Sequence, residues 1–345
     1  MAPYNEAVAV HLAPSAPGDH RKVYEGRLDP TWNILSVPCG GYALALVLQA
    51  CIQHQASTSS HIDPLHTSAH FLRPTNSKIP FKIYVHTLKA GKGFSNLVAE
   101  LYQEDVLRIT SHAIFGVNAL SPDDPLGLTL EPPSPYARRH PLNFHPSDTR
   151  VTPTHSMWNF HNNISWAYDD QIISRNSPSH PSRSQPLSSS PDENIGGAGL
   201  EWGGYLQFNI PTERLSYAYL PFLVDMFQNT LNLLPKAEAK SARGSSWFPT
   251  MTLAMEFKFP ISLLNPEKHS LRNVALYSNG RFVNHPQGRH DVYVEVWTAP
   301  AELGQGTVRK GWREEQFCLA TATQMALTVP VAINLKNGKD KDAKL

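Results

Sequence analysis

Two stretches of the chain share one pattern of apolar and polar positions. Residues 65–76 read LHTSAHFLRPTN, an alternation that runs into Arg-Pro and stops. Residues 249–261, PTMTLAMEFKFPI, repeat the design and also end at a proline. A period of two marks a strand with one buried face. The same order of elements recurs around each stretch. In the first third, 23–29 predicts a strand and GGYALALVLQACIQH at 40–54 predicts a helix opened by two glycines. Four further strands are predicted at 65–73, 80–89, 94–103 and 106–116, joined by turns such as KAGKGFS and QEDV.

In the last third, LEWGGYLQFNI at 200–210 predicts a strand. Leu220, Leu223, Val224, Phe227, Leu231 and Leu234 follow helical spacing and predict a helix over 215–234. Strands are predicted at 250–259, 291–299, 305–316 and 317–329, with an insertion containing NPEKHSLRNVALYSNG between the first two. The chain therefore reads as a tandem repeat of one α+β unit. Each unit is a long helix wrapped by a curved antiparallel sheet, and two such sheets can pair edge to edge.

Between the repeats, 117–152 is irregular and rich in Pro and Asp, and HSMWNFHNNISWAYDD at 155–170 predicts one more strand. Residues 174–197 almost lack large apolar side chains, so burial cannot offset the entropy of ordering them, and a disordered loop is expected. The expected division is an N-terminal unit at 1–120, a linker at 121–150, a C-terminal unit at 151–330 and a flexible tail at 331–345.

Composition narrows the function. The 345 residues are 41% hydrophobic, ample for a buried core. The net charge is +1 with no Lys/Arg stripe, so no nucleic-acid partner is expected. No run of about 18 apolar residues occurs, so no membrane span is expected. The first twenty residues lack the basic start and apolar core of a secretion signal. Cys39, Cys51 and Cys318 have no metal or redox spacing and are expected as reduced, buried small side chains. The sixteen histidines form no HExxH motif, and neither metal nor cofactor is expected. No GxSxG occurs, so a serine nucleophile is unsupported.

Three polar residues stand out, each with an ordinary reading beside a chemical one. Asp225 shares a helical stripe with Gln228, Asn229 and Asn232, which by spacing alone reads as a solvated face. Thr250 begins a strand whose alternate residues are Thr252, Ala254 and Glu256, as a β-branched surface residue would. Gln324 shares a strand face with Ala320, Ala322 and Ala326; an unsatisfied buried amide there would cost about 1–3 kcal/mol. The glycine pair Gly40-Gly41 offers amides at the positive end of a helix, suited to a carbonyl oxygen or a phosphate, although such pairs are also common caps.

The segments GGYALALVLQA, LHTSAHFLRPTNSKIPFKIYVHTLKAGKGFSNLVAELYQ and ITSHAIFG together resemble the acyl-CoA thioesterase II type of the thioesterase-like superfamily. The resemblance spans 20–116 and 200–330. It implies a double hotdog fold and hydrolysis of an acyl-CoA thioester to a free acid and CoA, without a cofactor. It further implies Asp225 in FLVDMFQ, Thr250 in FPTMTL and Gln324 in ATATQMAL as catalytic residues, with Gly40 and Gly41 polarising the thioester. The family's Asp-His pair is absent; Thr252 and Leu253 stand in its place. Two alternatives stay open. One is a biosynthetic protein that releases or cyclises a polyketide-like thioester, and the other a non-catalytic hotdog ligand binder. A homo-oligomer is compatible with each. The final Ala343-Lys344-Leu345 is a variant of the S-K-L address, so a peroxisomal import receptor is an expected partner and the peroxisome, otherwise the cytoplasm, the expected location.

Overall fold

In the N-terminal unit, β1 (His11–Ala13), β2 (Lys22–Arg27), β5 (Asp63–Phe71), β6 (Pro80–Ala90), β7 (Ser95–Gln103) and β8 (Val106–Gly116) form an antiparallel sheet in the order β1-β2-β6-β7-β8-β5. A small hairpin, β3 (Asn33–Ile34) and β4 (Val37–Pro38), stands beside it. The C-terminal unit contributes β9 (Ile164–Tyr168), β10 (Leu200–Phe208), β12 (Thr250–Phe257), β13 (Asn273–Gly280), β15 (Arg289–Thr298) and β16 (Cys318–Ala326), in the order β12-β16-β15-β13-β10-β9. Strand β14 (Val283–Asn284) pairs with β15, and β11 (Ser246–Trp247) pairs with β17 (Val329–Pro330) in a separate ribbon. The computed structural model describes residues 2–15, 18, 20–118, 130, 134–181, 199–235 and 246–339.

Leaving aside the edge strands β1 and β9, the two sheets share one topology. The N-terminal order is β2-β6-β7-β8-β5 and the C-terminal order is β10-β13-β15-β16-β12. In chain order both are first, third, fourth, fifth, second. Antiparallel pairing of β5 with β12 sets Leu253 opposite Ala69 and Thr252 opposite His70, and so joins the units into one 13-stranded sheet. This is the double hotdog arrangement, two α+β units paired edge to edge. Leu253 is fully buried at that joint.

The helix Gly40–Thr58 lies in the concavity of this sheet. Every residue from Gly41 to Leu48 is buried, because strands cover one side of the helix and the second unit covers the other. The expected partner helix over 215–234 is much shorter. A 3-10 turn at Tyr217–Tyr219 leads into Leu220–Leu223, where Pro221 suits the first turn, and the chain then tightens into i−3 hydrogen bonds at Asp225 and Met226. Asn229 takes extended backbone angles and its carboxamide oxygen meets His290 Nε2 at 3.1 Å. Of the polar residues that the helical spacing set on one solvated face, Gln228 and Asn232 are exposed, whereas Asp225 and Asn229 bond to other elements, and helix propensity loses to those bonds.

Two further expectations are corrected. The third strand of the second unit is β13, inside the segment first taken as an insertion. It is buried on nearly every residue, so it shows no alternation. Residues 305–316 form turns and a 3-10 helix at Trp312–Glu315, because Gly306 and Gly311 sit at φ of +85° and +81° and break any extended run.

The tail expected to be flexible from 331 instead opens with a helix, Val331–Asn337. Its buried Asn334 accepts from Ser36 N and donates to Ile34 O, which ties it to the β3–β4 hairpin. In the loop expected at 174–197, Ser174 ends a short helix, Asp170–Ser174, and residues 175–180 form turns, with Asn176 bonded both ways to the Glu201 backbone. Residues 182–197 and Ala343-Lys344-Leu345 lie outside the described residues. Part of the linker, around Leu142 and Phe144, packs with Tyr205, Ala275 and Trp297 on the C-terminal sheet.

The units approach each other closely at Gly41. A Cβ there would lie 2.2 Å from Pro221 O and 2.6 Å from Asp225 Cβ. Gly41→Ala is expected to cost about 1–3 kcal/mol through overpacking. Gly93→Ala, where a Cβ meets nothing within 4 Å, should change stability little. Chemical denaturation of the two variants checks this.

Candidate active site

Asp225 closes the short helix and lies at the seam between the units. Its Oδ2 accepts the Gly41 N–H at 2.7 Å and the Cys39 thiol at 3.1 Å. Its Oδ1 accepts Gln324 Nε2 at 2.5 Å and the Thr250 hydroxyl at 3.3 Å. Gln324 Nε2 also donates to Thr250 Oγ1 at 2.8 Å. The three residues named from sequence therefore form one hydrogen-bonded cluster, although 99 positions separate Asp225 from Gln324.

Each side chain is aimed by a local feature. Gln324 stands on β16, in register with Leu253 and Val292, on the buried face it shares with Ala320, Ala322 and Ala326. Thr250 is aimed by a β-bulge. It pairs with Ala326, whereas Thr252 pairs with the adjacent Met325, so Thr250 and Thr252 face opposite ways. Simple alternation had set them on one face. A matching irregularity lies between Pro64 and His66 of β5, the counterpart strand of the first unit.

Gly40 and Gly41 open the central helix, but Gly41 does not present its amide to a carbonyl oxygen as expected. That N–H serves the Asp225 carboxylate, a negative charge placed at the positive end of a helix. At Gly40 a Cβ would come within 3.5 Å of both Asp225 Oδ2 and Thr250 Oγ1, so the missing side chain keeps the site open.

Burial pushes the Asp225 carboxyl above the usual carboxylate range. The hydrogen bonds from Gly41, Cys39, Gln324 and Thr250 pull it back only in part. The remaining surface of Asp225 faces a cavity of about 280 Å³ between the units. Its walls come from the helix start, the β3–β4 hairpin, the edge strand β9 with its neighbour β10, and β11, and they include Trp158, Trp166, Trp202 and Trp247. Arg73 supplies a cation to the lining, and its Nη1 also donates to Leu107 O at 3.3 Å. Among the described residues, no group of three His, Cys, Asp or Glu side chains is arranged to hold a metal, and no helix is long and apolar enough to cross a membrane.

Residues 28–116 match the family model of the acyl-CoA thioesterase N-terminal domain. The whole fold resembles the acyl-CoA thioesterase II of Mycobacterium marinum, with TM-score 0.57 and 13% identity over 95% of this chain and 98% of the other. The chain has the hotdog fold, and residues 28–116 are similar to a thioesterase domain. A hot dog protein from Alicyclobacillus acidocaldarius gives TM-score 0.62 at 16% identity over 94% and 97% of the two chains. A Thermobifida fusca chain proposed to be a thioesterase II gives 0.62 at 18% identity over 95% and 98%. No curated protein sequence matches. The domain match contains Cys39, Gly40 and Gly41 but stops before Asp225, Thr250 and Gln324, which stand on the geometry above.

Sequence reasoning missed two parts of the site. Cys39 was read as a small buried side chain, although its place directly before the glycine pair set it at the helix start. The tryptophan lining was overlooked, although Trp166 and Tyr168 are two apart on β9 and so share a face. In place of the family's Asp-His pair, Leu253 fills the core and Thr252 sits at the bulge.

Any reaction that needs Asp225 ionised should gain rate as pH rises through a midpoint above the ordinary carboxylate range of about 3.9. A pH profile of kcat/KM checks this, and an acid limb at or below that value would contradict the burial assigned to Asp225.

Proposed function

We propose that this protein hydrolyses acyl-CoA thioesters by activating water at Asp225. The observation that supports this most directly is the partly buried Asp225 carboxylate bracketed by Thr250 and Gln324 on the wall of a cavity lined by aromatic side chains. Water held beside Oδ1 gives its proton to the carboxylate as its oxygen attacks the thioester carbonyl carbon. The C–S bond then breaks with its electron pair going to sulfur, and Asp225 returns the proton to the departing CoA thiolate. Acid and free CoA result, and atoms and charge balance without a cofactor. Gly40, at the helix start, is the candidate donor to the developing oxyanion. Arg73 offers a cation for an anionic part of the substrate.

A second reading, a biosynthetic thioester of polyketide type, is favoured by one observation. The cavity is lined by ring systems, among them Trp158, Trp166, Trp202 and Trp247. Flat, ring-bearing acyl groups suit such walls better than a plain alkyl chain.

The test is free-thiol release from linear, aromatic and oxygenated ring-bearing acyl-CoA thioesters, with products identified by mass spectrometry. Thiol release is expected, strongest for ring-bearing substrates if the second reading holds. Asp225→Asn should lower kcat by about 10²–10⁴-fold with little change in KM. Binding without thiol release across the whole panel would leave a ligand binder instead.

A further inference from the structure

Cys39 makes a contact that thioester hydrolysis does not by itself require. Its side chain is 2% exposed, lines the cavity, and donates to Asp225 Oδ2 at 3.1 Å. The same oxygen takes the Gly41 amide, while Oδ1 takes Gln324 and Thr250. We propose that Cys39 is a positioning residue whose thiol, together with the Gly41 amide, holds Oδ2 and so fixes the orientation and basicity of the carboxylate that receives the proton of the attacking water. The proposal rests on the hydrolase reading above.

A thiol at a helix start beside a carboxylate can also be a nucleophile, and the surroundings decide against that role here. Burial, and after it the negative charge of Asp225, push the Cys39 thiol well up; the amides of Tyr42 and Gly41 oppose this without reversing it. Cys39 therefore keeps its proton and donates it. A thiol is a weak donor. It orients the carboxylate while lowering its basicity less than a hydroxyl would, which suits a group that must accept a proton. The other groups facing Asp225 are the Gly41 amide from the central helix, Thr250 from β12 and Gln324 from β16, none of them titratable. Arg73 and His155 line the same cavity, and neither is among the main causes of the shift at Asp225.

Two variants and two readouts test the proposal. The Asp225 carboxyl is titrated directly by NMR of protein carrying ¹³C-labelled aspartate, its resonance assigned by comparison with Asp225→Asn, and the acid limb of kcat/KM is measured in parallel. Cys39→Ala removes a donor and should raise the midpoint by on the order of half a pH unit, and Cys39→Ser should lower it below wild type. Side chains that merely fill space would not give this ordering, and Cys39→Ser keeps the test alive if Cys39→Ala fails to fold. Equal midpoints in wild type and both variants would overturn the proposal, as would an acyl adduct on Cys39 found by mass spectrometry after turnover. If the NMR midpoints shift as expected while the acid limb stays fixed, the contact stands and the hydrolase reading fails.

Discussion

A carboxylate taken out of water must be met by donors, and Asp225 draws them from both halves of the molecule. Gly41 and Cys39 come from the first unit, Thr250 and Gln324 from the second. An ionised carboxyl with fewer partners would be costly to bury, so the site exists only when the two units are joined in one register. The β5–β12 pairing supplies that register, and the contact of Gly41 with Pro221 supplies the closeness. One side chain on Gly41 would separate the amide from the carboxylate it serves.

The two units share a strand order but have divided their work. The first keeps a long helix buried almost all round, a rigid post whose start points at the seam. The second has given up most of its helix. Its chain unwinds after Leu223, and two of the polar residues that follow reach other elements: Asp225 the cluster with Gly41, Cys39, Thr250 and Gln324, Asn229 the His290 ring. A bulge then turns Thr250 inward at the mouth of β12. Irregular backbone of this kind re-aims side chains and collects beside functional sites.

The parts legible in the sequence were those governed by local periodicity. Alternation found β5 to β8, β12 and β16 because one face of each meets the helix layer. It failed at β13, which is buried on both faces, and at 305–316, where left-handed glycines end an apparent strand. Helical spacing over 215–234 was present but lost to side-chain hydrogen bonds that only the tertiary fold supplies. At the site, Asp225, Thr250 and Gln324 came from the family resemblance, and spacing alone favoured a solvated face for Asp225. The joint roles of Gly41 and Cys39 could not be read, because both depend on a carboxylate more than 180 residues away.

The central claim is that Asp225 and Gln324 act as one unit on one water. A double-mutant cycle on kcat/KM tests it most directly, with Asp225→Asn, Gln324→Ala and the pair measured on the best thioester substrate. The account predicts that the double variant is hardly slower than Asp225→Asn alone, because an orienting group has nothing left to orient once the base is gone. Losses that multiply independently would mean that the two residues act on separate steps, and would contradict it.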